Sequence, residues 1–246
     1  MADVIAFGAH PDDVEIGCGG TVALLAAQGR SVVIVDFTRG ESGTRGTPDE
    51  REKEAAEAAR LLGAQARLNL GLPVGFLPFR EPKSGVAARE LAVAKVVELI
   101  RELRPTLLLA NFPSDAHPDH VIVGEVVKQA RYLAGLAKWA PSGAKNATPR
   151  HRPGLVLQYF EHEQHAPSLV VDVSAVYGKK LAAIRAHRSQ LHDPTRKEPE
   201  TALTRPDFLE RRMARDRFFG AQVGVDYAEP FFVIGPPKIT DPMTLL

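Results

Sequence analysis

Residues 4–20 read VIAFGAHPDDVEIGCGG, and this stretch decides the fold class. Residues 4–7 are an unbroken apolar run, the pattern of a strand buried on both faces. A helical stretch follows at 19–28 (GGTVALLAAQ) and is closed by Gly29. Residues 31–37 (SVVIVDF) then read as a second strand, rich in β-branched side chains. Strand, helix, strand is the repeating unit of a parallel sheet, and the pattern continues. A helix is expected at 48–62, ended by Gly63, then a strand at 66–70, a helix at 87–103, a strand at 106–110 and a helix at 118–133. The class is therefore α/β with a mainly parallel sheet.

The second half is less regular. Strands are expected at 156–160 and 169–173, and helices at 175–189 and 208–219. Polar, proline-containing stretches at 140–153 and 192–206 read as lids, interface elements or mobile loops. Residues 38–46 (TRGESGTRG) follow the second strand and read as a loop over the face where ligands sit. No repeat or linker divides residues 1–246, so one domain is expected.

Composition narrows the function classes. The 246 residues carry 31 Lys+Arg against 30 Asp+Glu, a net charge of +1, without the basic excess of a nucleic-acid binder. Hydrophobic residues make up 44% and charged residues 25%, so the chain can build an ordinary core. Its single cysteine, Cys18, allows no intrachain disulfide and suits a reducing compartment. No apolar run approaches the ~20 residues of a membrane span. The N-terminus lacks a basic leader, so a cytoplasmic protein is expected.

The chemistry lies in two short clusters. HPDD at 10–13 follows the first strand, and HPDH at 117–120 follows the 106–110 strand and opens a helix. Pro118 stands where a first-turn proline is tolerated. Asp and Pro are common turn residues, so either cluster alone would read as a turn. Two of them, each at a strand end, point to one site. A catalytic zinc takes three His or carboxylate ligands and keeps one position open for water. His10, Asp13 and His120 supply such a set. Asp12 is left beside it as a carboxylate able to take a proton from water. His117 is left to serve a developing oxyanion or a leaving amine. Asp119 is placed to orient His117 or to support a ligand. A helix N-terminus favours neutral histidine, which suits His120 and works against a protonated His117; Asp119 would offset this.

Other readings share these residues. His10, Asp12 and His120 fit the two-His-one-carboxylate set of a non-haem iron oxygenase, which leaves Asp13 and His117 idle. A nucleotide-binding module without catalysis fits the strand–helix pattern. GCGG at 17–20, however, lacks the G-x-G-x-x-G spacing and reads as close backbone packing. Zinc and ferrous iron accept the same ligands, so the metal stays open.

AHPDDVEIGCGGT at 9–21, TRGESGTRGT at 38–47, Arg51-x-x-Glu54-Ala55, HPDH and GVDYAEPF at 224–231 together resemble the LmbE/PIG-L family of zinc-dependent N-acetylglucosaminide deacetylases. Within it they resemble the bacillithiol-pathway branch, which acts on N-acetylglucosaminyl-malate. The resemblance implies an LmbE-like fold, a Rossmann-like three-layer sandwich. It implies His10, Asp13 and His120 as zinc ligands, Asp12 as general base, and His117 at the oxyanion with Asp119 behind it. It further implies that Arg51 holds sugar hydroxyls, although an arginine in a Glu/Lys/Ala-rich helix is ordinarily a solvated face. His187 stands where some relatives carry a tyrosine near the substrate. The implied partner is a small glycoside, with no nucleic acid or membrane, and the implied assembly is a homo-oligomer, the hexamer being one form.

The chain also departs from the pattern. Relatives often read Leu-Pro-Asp-Gly where this chain has Leu72-Pro73-Val74-Gly75, and some carry arginine where it has Ala116. Among weaker signals, His162 and His165 (EHEQHAP) are expected at the rim of the site rather than on the metal. Cys18 reads as a small core residue, and 149–153 (PRHRP) as a solvated basic patch.

Overall fold

The computed structural model describes residues 1–74, 88–140, 148–241 and 243. Gly75, Ala87 and the 141–147 part of the 140–153 stretch lie outside the described residues. In chain order the elements are β1 (Val4–Gly8), α1 (Asp13–Ala27), β2 (Val32–Asp36), α2 (Pro48–Leu62), β3 (Ala66–Asn69), α3 (Ala88–Leu103), β4 (Leu107–Asn111), α4 (Pro118–Ala134), β5 (Leu155–Tyr159), β6 (Leu169–Asp172), α5 (Tyr177–Ala186), α6 (Phe208–Val223) and β7 (Ala228–Val233). The strands form one sheet in the order β3-β2-β1-β4-β5-β7-β6. β1 to β5 are mutually parallel, and β7 runs antiparallel between β5 and β6.

Strand alternation divides the core in two. Ile5 and Phe7 of β1 face one way and pack with Val33, Val35, Leu108 and the apolar stripes of α3 and α4. Val4 and Ala6 face the other way, onto α1, α2 and α5. Helices cover both faces, so the mainly parallel α/β sandwich expected from the sequence is what forms. α2 shows why its boundaries were legible. Thr47 caps its N-terminus by accepting from Glu50 N at 3.2 Å, Pro48 fills the first turn, and Gly63 ends it at φ 78°.

Three segments differ from expectation. The first helix begins at Asp13, not at residue 19. It is kinked at Cys18 (φ −143°, ψ 21°), so the expected start matches its second segment. At the kink, Gly20 N and Thr21 N donate to the buried carboxylate of Glu229 at 2.8 and 2.7 Å. Lys180 Nζ donates to the same carboxylate at 2.6 Å and to Asp216 at 2.8 Å, which joins α1, α5, α6 and β7 through fully buried charges. The kink needs Gly17 as well: a Cβ there would lie 2.1 Å from the Tyr159 ring. That tyrosine donates to Phe7 O at 2.8 Å and ties β5 to β1. The second difference is β7, whose AEPFFV carries an acid and a proline and so lacks the unbroken apolar run that marks β1, β2 and β4. The third is the 175–189 helix. It resolves into two short 3-10 turns, Ser174–Val176 and Arg188–Gln190, flanking α5, with His187 at the second break.

The strand order reverses between β1 and β4. In such a sheet the crevice for a ligand opens at the carboxyl ends of these two strands. HPDD follows β1 and HPDH follows β4.

Candidate active site

Asp13 closes the turn after β1 with its own side chain. Its Oδ2 accepts from Ala9 N at 2.7 Å and His10 N at 3.0 Å. Its Oδ1 lies 3.6 Å from His10 Nδ1, and Oδ2 lies 3.4 Å from His120 Nε2. Asp13 thus stands against both histidines. Among the described residues, three sets of ligand atoms lie within 4.8 Å of one another: His10, His117 and His120; Asp13, His120 and Glu161; and Asp115, His120 and His162. His120 is common to all three, while His10 and Asp13 meet it in different sets. Two imidazoles and one carboxylate are the chemistry of a catalytic zinc shell, and these residues fit such an ion.

The remaining contacts fix ring orientation. Asp119 Oδ2 is 3.0 Å from His10 Nε2, which turns Nδ1 toward Asp13. This is the carboxylate–histidine pairing that commonly backs a metal ligand. The carboxylate of Asp119 therefore stands behind His10, while the backbone N–H of Asp119 donates to His117 Nδ1 at 3.2 Å. Asp115 plays the corresponding part for the second histidine. Its Oδ1 is 3.2 Å from His120 Nδ1 and 3.0 Å from His162 Nδ1, and it accepts from His117 N at 2.9 Å. Burial opposes ionisation of Asp115, but its bonds to His120 and His162 outweigh this and hold it well below the usual carboxylate range.

Asp12 is the strained residue of the site. Its φ of 150° lies where side chains are disfavoured. This backbone aims the carboxylate into a cavity of about 270 Å³ that it lines with His10, Asp13, His117 and His120. Arg51 holds it there: Nη2 donates to Pro11 O at 3.1 Å and to Asp12 Oδ2 at 3.4 Å, and Nη1 donates to Gly40 O at 3.3 Å. Gly40 (φ 66°) must be glycine, because a Cβ would sit 2.1 Å from that guanidinium. Burial raises the Asp12 carboxyl and Arg51 draws it back. His117 is lowered to about 4 by burial and by His10 and His120 beside it.

The loop at 38–46 contributes Gly40, Ser42, Gly43 and Thr44 to the cavity wall, on the face expected of it. Val74 also lines the cavity, and its N–H donates to Glu41 Oε1 at 2.6 Å, so a carboxylate is present beside the departure from the family pattern. His162 sits at the rim. His187 is placed differently from the expectation of a substrate contact. It is 1% exposed, lies 3.4 Å from Glu15 Oε1 and does not line the cavity. The helix is interrupted at this residue and the ring is buried. Cys18 is fully buried, as expected of a core thiol.

Three site residues were not foreseen: Asn111, Asp115 and Glu161. Glu161 Oε2 is 3.8 Å from His120 Nδ1, and burial with Asp13 nearby pushes its carboxyl up to about 7. Asn111 Nδ2 bridges Asp13 and Glu161 at 3.4 and 3.5 Å. The signal was available, since Asn111 and Glu161 are polar residues at or just past the carboxyl ends of apolar strands.

Comparison with known proteins agrees with this geometry. The model of the PIG-L family, described as GlcNAc-PI de-N-acetylase, matches residues 5–131, which include both motifs. Diacetylchitobiose deacetylase of Thermococcus kodakarensis is 32% identical over 199 residues, covering 76% of this chain and 69% of that protein. The 1D-myo-inositol 2-acetamido-2-deoxy-alpha-D-glucopyranoside deacetylase of Kineococcus radiotolerans is 34% identical over 245 residues, covering 74% and 67%. Among solved structures, the conserved protein TT1542 of Thermus thermophilus superposes with a TM-score of 0.80 at 38% identity, covering 98% of both chains. With its two histidine motifs at the switch point of a three-layer sandwich, this chain belongs to the PIG-L (LmbE-like) deacetylase family.

Proposed function

We propose that this chain hydrolyses the acetamide of an N-acetylglucosaminyl glycoside, and that the glycoside is N-acetylglucosaminyl-malate, the substrate of the bacillithiol branch. One observation carries the reaction: a His/Asp/His set lies beside a second, cavity-facing carboxylate, Asp12, that Arg51 holds in place. The related deacetylases named above share an acetylated glucosamine in their names and differ in what it is joined to, which supports the acetamide as the reacting group. Malate rests on the resemblance of the motif strings.

His10, Asp13 and His120 would hold the metal, zinc by preference and ferrous iron with the same ligands. When bound, such a metal polarises a carbonyl and makes water acidic near neutral pH. Asp12 takes the proton that the attacking water loses. His117 accepts the Asp119 N–H at Nδ1, so its own proton sits on Nε2. It is therefore a neutral donor, as the helix N-terminus favours, and it stabilises the carbonyl oxygen as charge develops there. Asp12 then returns its proton to the nitrogen as the C–N bond breaks, and acetate and a free amine leave. Glu161 stays outside the metal shell in this scheme, so Glu161→Gln should retain the metal. The same reading makes the protein a cytoplasmic homo-oligomer, checked by fractionation and sedimentation.

The test is primary-amine release from N-acetylglucosaminyl-malate beside free N-acetylglucosamine, with metal-loaded protein. Strong preference for the conjugate is expected. Equal or faster turnover of the plain sugar would remove the malate branch and keep the deacetylase. No amine from either would overturn the reading.

A further inference from the structure

The catalytic cavity continues into a second, wider groove. Glu161, His162 and Leu203 line both. The groove has a volume of about 590 Å³ and is walled on one side by α6 and on the other by the chain around residues 202–205. The α6 wall presents Phe208, Arg211, Arg212 and Arg215, a spacing that puts all four on one helical face. Arg205 adds a fourth guanidinium from the opposite wall, and Glu161 is the acid among the lining residues.

Counter-charge falls short of this cation density. Arg205 and Arg211 share one partner, Asp207, at 3.2 and 2.6 Å. Arg215 is paired with Asp216 at 2.8 Å, and Asp216 is already shared with Lys180. Among the described residues Arg212 has no ion pair. It stacks over Phe208 at 5.4 Å and donates Nη1 to Glu161 O at 2.7 Å, on the residue whose carboxylate approaches His120. Burial and the adjacent Arg215 charge push Arg212 down to about 10. The chain as a whole is near neutral, at +1, so this is a local concentration of charge and not a basic protein.

We propose that this groove is the aglycone subsite, and that Arg205, Arg211 and Arg212 select N-acetylglucosaminides whose aglycone carries an oxyanion, a carboxylate or a phosphate. The inference rests on the deacetylase reading of the adjoining cavity. With the acetamide at Asp12, the non-reacting end of the substrate has this groove as its continuation. Guanidinium forks suit planar and tetrahedral oxyanions alike. The 192–206 stretch, which reads as a lid or a loop in the sequence, becomes part of a specificity wall.

Binding and turnover are to be measured for three ligands: N-acetylglucosaminyl-malate, N-acetylglucosamine 1-phosphate and neutral methyl N-acetylglucosaminide. The proteins are the parent, Arg212→Gln and the Arg205→Gln/Arg211→Gln double variant. The double variant matters because Arg212 also supports Glu161, whereas Arg205 and Arg211 are exposed. Each variant should weaken at least one anionic ligand about tenfold more than the neutral one. Raising the salt should weaken the anionic ligands selectively. Preference for malate over phosphate, or the reverse, identifies the source of the oxyanion. Equal losses on charged and neutral ligands, or no loss in the double variant, would overturn the subsite. Charge-selective binding without amine release would remove the deacetylase reading and leave the oxyanion groove standing. Amine release without charge selectivity would do the opposite.

Discussion

HPDD and HPDH differ by one letter, and the chain builds them in different ways. In the first motif the fourth residue closes the turn, since the carboxylate of Asp13 accepts the N–H groups of Ala9 and His10. In the second the first residue does so, as His117 caps α4 by accepting from Asp119 N. The third residue is aspartate in both. Asp12 is forced to φ 150° and lines the cavity, while Asp119 lies inside a regular helix and backs His10. The first motif therefore carries backbone strain and a carboxylate that faces the cavity. The second is an unstrained helix start that supplies rigid support. Shared letters give shared functional groups; the backbone decides which carboxylate faces the cavity.

The largest effects should separate the two motifs by role. Asp12→Asn keeps size and shape but cannot accept a proton. Turnover should fall by about 10²–10⁴-fold with the metal retained. His120→Ala should lose turnover together with the metal, because among the described residues His120 is common to every set of convergent ligand atoms. Metal analysis beside amine release reads both outcomes. Metal loss in Asp12→Asn would make Asp12 a ligand and erase the distinction between the motifs.

His117→Asn tests whether the second motif also acts directly. Asparagine is a good helix cap but does not reach as far as the imidazole Nε2–H. Turnover should drop by about 10²–10³-fold while the melting temperature holds. A fall in stability matching the fall in activity would reduce His117 to a cap. Asp119→Asn should be milder still, about 10–100-fold in metal affinity, because it weakens a ligand's partner and not a ligand. Competition with a chelator measures this. An effect as large as that of His120→Ala would place Asp119 on the metal.

The sequence made the first half legible because its signals are local. Thr47, Pro48 and Gly63 mark α2 at both ends, and apolar runs mark β1, β2 and β4. Both histidine motifs were visible for the same reason, as each lies close after a strand end or opens a helix. Long-range partners were not visible. The kink within α1 is held by Glu229, which lies 209 residues from Gly20 in sequence. β7 is hidden because that same glutamate and Pro230 sit in a buried strand. Asp115 acts on His120 through one ring nitrogen, and Glu161 comes near it from another strand end, contacts that no spacing rule encodes. His187 looked like a substrate residue by position, yet it is buried at the break after α5 and does not line the cavity.

The smallest expected effect sharpens the comparison most, because catalysis does not enter it. Replacing the third residue of each motif by Asn and by Gly removes the charge in all four variants, so the Gly–Asn difference reports the backbone. At Asp12 the native φ of 150° is open to glycine and costly for any side chain. Asp12→Gly should therefore be more stable than Asp12→Asn by about 1 kcal/mol, even though it gives up a polar contact to Arg51. At Asp119 the backbone is helical, where glycine is the poorer residue by about 0.5–1 kcal/mol and also removes the oxygen that faces His10 Nε2. There the order should reverse. Denaturant unfolding of the four proteins under one set of conditions reads both differences. Glycine lowering stability at both positions would mean that Asp12 is not strained, and its place in the cavity would then come from the Arg51 contact alone. Opposite signs would show that the two motifs, alike in letters, are held by different physics: one by a backbone forced into an unfavourable region, the other by an ordinary helix cap.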